Sequence, residues 1–138
     1  MRSGKHHHVI VVCIAALSLL VNLSVYGQNI GRIERIKVHG KNLEGNLAGD
    51  DADRFVSVYL PASYKSNPTR RYPVVYFLHG YTDSDDKYLG ETKHWMKMAP
   101  VLDSVFAAKG AQEMIIVMPN AYTRFQGSMY SNSVTTGN

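Results

Sequence analysis

Two apolar runs without alternation, an amphipathic helix between them and two further strand-like segments ahead of them predict an α/β fold, with about four strands and one or two helices. The runs are Val74-Val75-Tyr76-Phe77-Leu78 and Met114-Ile115-Ile116-Val117-Met118. Five successive apolar residues bounded by turn residues indicate a strand covered on both faces, the pattern of a parallel sheet. Between the runs, Pro100 is placed as a first helical residue. Val101, Leu102, Val105 and Phe106 follow at spacings of one, three and four, and Gly110 after Lys109 serves as the stop. Strand, loop, helix, strand is a βαβ crossover, right-handed where it lies in a single sheet.

The first 27 residues read as an export signal. Arg2 and Lys5 make a short basic start, Val9 to Leu23 an apolar run, and Ser24-Val25-Tyr26-Gly27 sets Val and Gly at the third and first positions before a cut. Gln28 would begin the mature chain. An uncleaved anchor is the alternative, but an apolar run from Val9 to Leu23 is short for a hydrocarbon layer of about 30 Å. Cys13, the single cysteine, lies in this segment behind Val12, where a bacterial lipoprotein signal has a small residue, so lipid attachment is not expected. The mature part then has no disulfide. His6-His7-His8 is read as part of the signal's leading segment rather than as a metal site or a partial tag.

Composition excludes several classes. With 138 residues, 45% of them hydrophobic, and one cysteine, the chain is neither a disordered tail, a disulfide scaffold nor a multidomain assembly. Beyond Gly27 there are 13 Lys plus Arg against 11 Asp plus Glu, so the net charge falls from +4 to +2. Lys and Arg are scattered, with no basic stripe carrying interleaved aromatics, and nucleic-acid binding is not expected.

The mature elements follow in order. Ile33 to Val38 alternates, with Ile36 and Val38 on one side and Arg35 and Lys37 on the other, as in a half-exposed strand closed by His39-Gly40. Lys41 to Asp53, rich in Gly, Asn and Asp, is a turn or hairpin connection, and Phe55 to Leu60 is the next strand. A loop through Pro61, Ser63, Asn67 and Pro68 leads to Pro73 and the first apolar run. A polar loop from Tyr81 to Asp86 and a weakly helical stretch from Tyr88 to Met98 precede the helix. Such a sheet needs helices on both faces, yet one clear helix is supplied and the sequence runs out in the loop Thr135-Thr136-Gly137-Asn138. The expectation is a fragment of a longer reading frame, with an unprotected edge strand.

Ligands of open α/β sheets bind outside the carboxyl ends of the strands, which directs attention to the residues after Leu78 and Met118. His79-Gly80-Tyr81-Thr82 comes first: a glycine there permits a sharp turn, and the amide after it can face the crevice and stabilise an oxyanion. As an isolated dipeptide His-Gly is more often only a turn. Asp83, Asp85 and Asp86 fail the calcium-loop spacing because Lys87 stands where the third acidic ligand belongs, so a solvated loop is expected and no metal. Trp95 either walls a substrate site or packs the helix onto the sheet. Tyr122, Phe125 and Tyr130 follow the second run, as an aromatic wall or as loop packing.

Taken in succession, Arg54-Phe55-Val56-Ser57-Val58-Tyr59-Leu60-Pro61-Ala62-Ser63-Tyr64, Tyr72-Pro73-Val74-Val75-Tyr76-Phe77-Leu78-His79-Gly80, Trp95, Met114-Ile115-Ile116-Val117-Met118-Pro119, and Asn132-Ser133 to Thr136-Gly137-Asn138 resemble the esterase D-type putative esterase family. That group of α/β-hydrolases includes feruloyl and acetylxylan esterases, S-formylglutathione hydrolases, enterochelin esterases and the antigen 85 mycolyltransferases. The resemblance spans Arg54 to Asn138 and implies the N-terminal half of an α/β-hydrolase fold over residues 28–138. It implies further that the Tyr81 backbone N–H forms one half of an oxyanion hole, with His79 and Gly80 shaping the turn; Thr82, Trp95 and Tyr130 are the candidates to border the substrate. The family's nucleophile sits in a G-x-S-x-G elbow. Gly127-Ser128-Met129-Tyr130-Ser131 lacks the second glycine and follows no apolar strand, so the Ser, acid and His are expected beyond Asn138. His39, His79 and His94 are not the base, since the family's chain order is Ser, acid, His.

The expected activity is that of an exported serine esterase, secreted or periplasmic and without a cofactor. It would act on small-molecule or polysaccharide esters such as feruloyl or acetyl groups, with no membrane anchor after signal cleavage. The alternatives are a carbohydrate-binding protein without catalysis on the same fold and a mycolyl-type acyltransferase. If the signal reading holds, N-terminal sequencing of the exported product gives Gln28 as its first residue; a product retaining Met1 through Gly27 contradicts it.

Overall fold

Four strands join into one mixed sheet in the computed structural model, which describes residues 30–89 and 96–130. The chain divides into two units, Met1–Ile30 and Gly31–Asn138. The expected signal over residues 1–27 lies outside the described residues, as do His94, Trp95 and residues 131–138. Among the described residues no helix is long and apolar enough to cross a membrane.

Strands β1 (Arg32–His39) and β2 (Asp53–Leu60) pair antiparallel, Arg32 opposite Leu60 and His39 opposite Asp53. The Gly- and Asn-rich stretch between them is the expected hairpin connection. The Asn46 side-chain amide donates to the Leu43 and Asp50 carbonyls while its oxygen accepts the Asp50 N–H, which closes the loop on itself. At the hairpin mouth the two ring nitrogens of His39 each lie 2.7 Å from a carboxylate, of Glu44 and of Asp53. These hydrogen bonds hold the ring's pKa above its usual value.

Strand β3 (Val74–Tyr76) runs parallel to β4 (Ile115–Pro119), and between them the chain passes through α1 (Asp85–Leu89) and α2 (Met98–Ala107), giving the expected βαβ order. Because β4 also pairs antiparallel with β2, the sheet order is β1-β2-β4-β3 and only one pair is parallel. β3 ends sooner than its apolar run suggests. Its ladder alternates, Ile115 N–H donating to Pro73 and Phe77 N–H to Val117, and the next donor from β4 falls at residue 119, a proline without an N–H. The two chains part there and leave a crevice beyond their carboxyl ends.

Helix α1 begins within the stretch expected to be loop, so the polar segment after Gly80 is shorter than the sequence suggests. In α2, Pro100 lies in the first turn, where its missing N–H has no intrahelical partner to lose. The C-terminal stop differs from expectation in one residue. Lys109, not Gly110, takes the left-handed conformation (φ 54), and its N–H bonds Phe106 while the Gly110 N–H bonds Val105, the paired bonds of a Schellman closure.

Residues directly paired across the sheet share a face. One face carries Ile33, Tyr59, Ile116, Met118 and Phe77 and receives Tyr88, Leu89, Met98, Leu102 and Phe106 from the helices. Tyr59, Leu89 and Met118 are at most 2% exposed, and full burial of such side chains contributes about 1.5–3 kcal/mol each. Of the four apolar helix positions recognised in sequence, Leu102 and Phe106 face this core while Val101 and Val105 are exposed. The opposite face carries Ile36, Val38, Val74 and Tyr76, all exposed. The two-sided burial expected for β3 is therefore not found among the described residues: it is the outermost strand and the expected open edge.

Two polar links tie the helices to the sheet. The Tyr59 hydroxyl and the Gly31 N–H both donate to one oxygen of Asp103 on α2, at 2.6 and 2.7 Å. Burial, reinforced by that carboxylate, raises the tyrosine's pKa above its ordinary value. Asp85, at the start of α1, has no exposed surface. It accepts a two-point contact from the Arg35 guanidinium, at 2.8 and 3.0 Å, and a third bond from the Ser57 hydroxyl at 2.7 Å. Burial alone would raise its pKa, but Arg35 and Ser57 hold the carboxyl below its usual value. The solvated reading of this aspartate is thus corrected.

Removing one partner of this link has an asymmetric cost. Arg35→Met leaves a carboxylate with no route to water and lowers the unfolding free energy by about 3–5 kcal/mol. Asp85→Asn costs less, because the Arg35 side chain is 30% exposed and its guanidinium can hydrate. Urea titrations check the order; equal costs, or a larger loss in Asp85→Asn, contradict it. Because the folded carboxyl is more acidic than the unfolded one, its contribution is complete above about pH 5 and is lost as pH falls through the lowered pKa. The acid limb of stability is correspondingly shallower in Asp85→Asn.

Candidate active site

Where β3 and β4 part, the chain after β3 makes a turn at Gly80 and the chain after β4 folds over it. His79 is buried at 4% exposure. Its Nδ1 lies 2.9 Å from the Gly80 carbonyl, and its Nε2 accepts the Ala121 N–H at 2.9 Å. The Gly80 carbonyl also accepts the Asp83 N–H at 3.1 Å, closing the turn. Among the described residues no acceptor takes the Tyr81 amide hydrogen, whereas the Tyr81 hydroxyl donates to the Phe125 carbonyl at 3.3 Å. The amide expected as an oxyanion donor thus stands on a turn that is held from several sides.

Thr82 follows with φ 66, a left-handed conformation costly for a β-branched residue. Lys87 of α1 grips its carbonyl at 3.1 Å. Thr82 also lines a cavity of about 310 Å³ together with Arg35, Asp86, Lys87, Asn120 and Tyr122, so residues from both strand exits meet there. The aspartates of this segment are engaged by protein groups: Asp83 by Lys87 and the Tyr88 hydroxyl, Asp86 by Ser84, Asp85 by Arg35 and Ser57. Among the described residues no group of three His, Cys, Asp or Glu side chains is arranged to hold a metal.

Tyr130, expected to border the substrate, donates its hydroxyl to the His79 carbonyl at 3.2 Å and sets its ring edge-on to the imidazole, centroids 5.7 Å apart. Burial raises its pKa above the ordinary tyrosine value. Tyr122 and Phe125 are exposed at the same exit. Trp95 lies outside the described residues.

Sequence reasoning did not find the groups that hold this arrangement. The segment after β4 is fixed by Arg54, which donates to the carbonyls of Asn120 and Tyr122, and by Arg124, whose N–H meets Asp50 at 2.7 Å and whose guanidinium meets the Ala48 carbonyl at 2.8 Å. Gly127 packs on the turn so closely that a Cβ would lie 2.9 Å from the Thr82 nitrogen and 3.1 Å from the Tyr81 ring, and its φ is +156°. A backbone nitrogen cannot yield as a flexible side chain can. The only hint in sequence was the glycine itself, eight residues past β4.

Gly127→Ala therefore shifts the amide resonances of residues 80–83 and lowers stability by about 1–3 kcal/mol. Gly45→Ala, at positive φ with nothing within 4 Å of a Cβ, serves as the control and leaves those resonances in place. Unchanged resonances in Gly127→Ala contradict the contact.

Comparison with known proteins places this geometry. Residues 51–135 match the family described as Esterase: Putative esterase. Three solved structures share the fold. They are a ferulic acid esterase at 29% identity and TM-score 0.56, covering 67% of this chain and 32% of its own; and a ferulic acid esterase from the anaerobic fungus Anaeromyces mucronatus at 29% identity and TM-score 0.53, covering 70% and 31%. The third is the feruloyl esterase module from Clostridium thermocellum, a mutant complexed with sinapinate, at 22% identity and TM-score 0.55, covering 68% and 28%. No functionally curated protein matches the sequence. This chain spans about a third of the length of the structures it resembles. The four-stranded mixed sheet with its crossover helices is an α/β-hydrolase arrangement, and the chain belongs to the putative esterase family.

Proposed function

We propose that this chain supplies the oxyanion-binding part of a serine carboxylic-ester hydrolase that acts on carbohydrate-linked acyl esters of the feruloyl or acetyl type. The observation that carries the reading is the Tyr81 amide, at the carboxyl end of β3 and on a braced turn, with no acceptor among the described residues. A serine hydroxyl attacking an ester carbonyl moves the C=O electron pair onto oxygen. An amide already oriented toward that oxygen stabilises the anion without reorganising.

The nucleophile, acid and base come from sequence C-terminal to Asn138. Support for this is the engagement of the described histidines elsewhere, His39 on Asp53 and Glu44, His79 on Gly80 and Ala121. Export by a signal cleaved after Gly27, to the periplasm or the medium, agrees with a polysaccharide ester as substrate. Thr82, Trp95 and Tyr130 are proposed to border it.

The 138-residue chain alone gives no hydrolysis of p-nitrophenyl acetate above background, and clear saturable turnover contradicts the assignment of the nucleophile to sequence beyond Asn138. The complete product of the reading frame hydrolyses both p-nitrophenyl acetate and methyl ferulate. In that product Tyr81→Pro, which deletes the amide hydrogen, lowers kcat by about 10²–10³-fold, while Tyr81→Phe, which keeps it, retains activity. Equal activity in the two variants overturns the role of the amide.

A further inference from the structure

We infer that His79, held as the tautomer with hydrogen on Nδ1, is the positioning residue that aims the Tyr81 amide; this rests on the oxyanion role proposed for that amide. The tautomer follows from the partners. Ala121 presents a backbone N–H to Nε2 at 2.9 Å, and an N–H can only donate, so Nε2 carries the lone pair. The ring hydrogen is then on Nδ1, 2.9 Å from the Gly80 carbonyl, which can only accept. No other assignment satisfies both contacts.

The consequence lies in the geometry of one peptide unit. The Gly80 carbonyl and the Tyr81 N–H are the two ends of a single planar trans peptide, so fixing the direction of the oxygen fixes the opposite direction of the hydrogen. The Asp83 N–H also holds that oxygen, but it belongs to the same turn and moves with it. His79 instead refers the peptide to Ala121, on the chain leaving β4. Two further contacts keep the imidazole and its own backbone in place: Tyr130 packs edge-on against the ring and bonds the His79 carbonyl. A donor on the carbonyl also polarises the amide and makes its N–H a better donor to a developing anion. The histidine acts through the peptide and does not itself exchange a proton with substrate.

The test uses the complete product of the reading frame with p-nitrophenyl acetate as probe. His79→Asn sets its side-chain NH2 where Nδ1–H stands and keeps the bond to Gly80. His79→Gln reaches the Ala121 side and loses that bond, and His79→Phe keeps the ring volume and loses both. The expected result is a fall in kcat of about 10- to 100-fold in His79→Phe and His79→Gln with KM within about twofold, and recovery to within about fivefold of wild type in His79→Asn. Wild-type kcat in His79→Phe, or His79→Asn no better than His79→Phe, overturns the inference. Independently of any variant's folding, two-bond proton–nitrogen correlation spectra of the wild-type imidazole report hydrogen on Nδ1; hydrogen on Nε2 overturns it. Absence of esterase turnover in the wild-type product overturns the esterase reading itself, whereas turnover indifferent to His79 overturns only this assignment.

Discussion

The Asp85 carboxylate has no exposed surface, and its position decides where the chain after β3 can go. Three donors reach it from two strands, two from Arg35 on β1 and one from Ser57 on β2. Arg35 and Ser57 are direct cross-strand partners, so the sheet register itself creates the receptor for α1. Arg35 is also stacked on Phe55, 4.0 Å from the ring centroid, which spends its planar cation on two contacts at once. A buried ion pair of this kind gives little net stability over a well-packed apolar pair. Its effect is specificity: α1 can start only where a carboxylate meets that guanidinium, four residues after Tyr81. The loop between is too short to wander.

That constraint explains which parts of the fold were legible in sequence. The hairpin was visible because Asn46, Gly45 and Gly49 carry their conformations in local chemistry. The βαβ order was visible because the apolar runs and the helix period are properties of single segments. Arg35 was not: alternation assigned it to the polar side of β1, and nothing local says that this side meets a helix. Ile36 and Val38, on the apolar side, are the exposed ones. The burial of Asp85 depends on a residue fifty positions earlier, a pairing that composition and periodicity do not encode. The early end of β3 is an intermediate case. Pro119 was in plain sight as a strand terminator for β4, and its effect on the neighbouring strand needs only the parallel register.

The candidate site divides in the same way. The glycine after the β3 run announces a turn, and the family resemblance attaches a role to the next amide. What holds the turn that carries that amide is non-local: Ala121 on Nε2 of His79, Gly127 against Thr82, and Tyr130 on the His79 carbonyl. Each comes from the segment after β4, which is itself fastened by Arg54 and by Arg124. Tyr130 drew attention as an aromatic near the crevice, but the structure gives it a hydrogen bond to the very residue that precedes the turn.

These braces all arrive from one side. β3 is the outermost strand, so the turn that follows it has β4 and its exit loop as neighbours on one flank and no strand among the described residues on the other. An amide on an edge strand's turn would ordinarily relax toward whatever acceptor its loop offers, since loops at sheet edges open at little cost. Here the peptide cannot do so without breaking the Gly80 bonds to His79 and Asp83 together, while the left-handed Thr82 is already committed by Lys87. The left-handed Thr82 thus sits between the Lys87 bond on its own carbonyl and the bonds that hold the Gly80 carbonyl. A preorganised donor requires such over-determination, because a dipole that must first be turned toward the anion gives back in reorganisation much of what it gains. That no acceptor among the described residues takes the Tyr81 amide hydrogen is consistent with a turn held in this way by the packing around it.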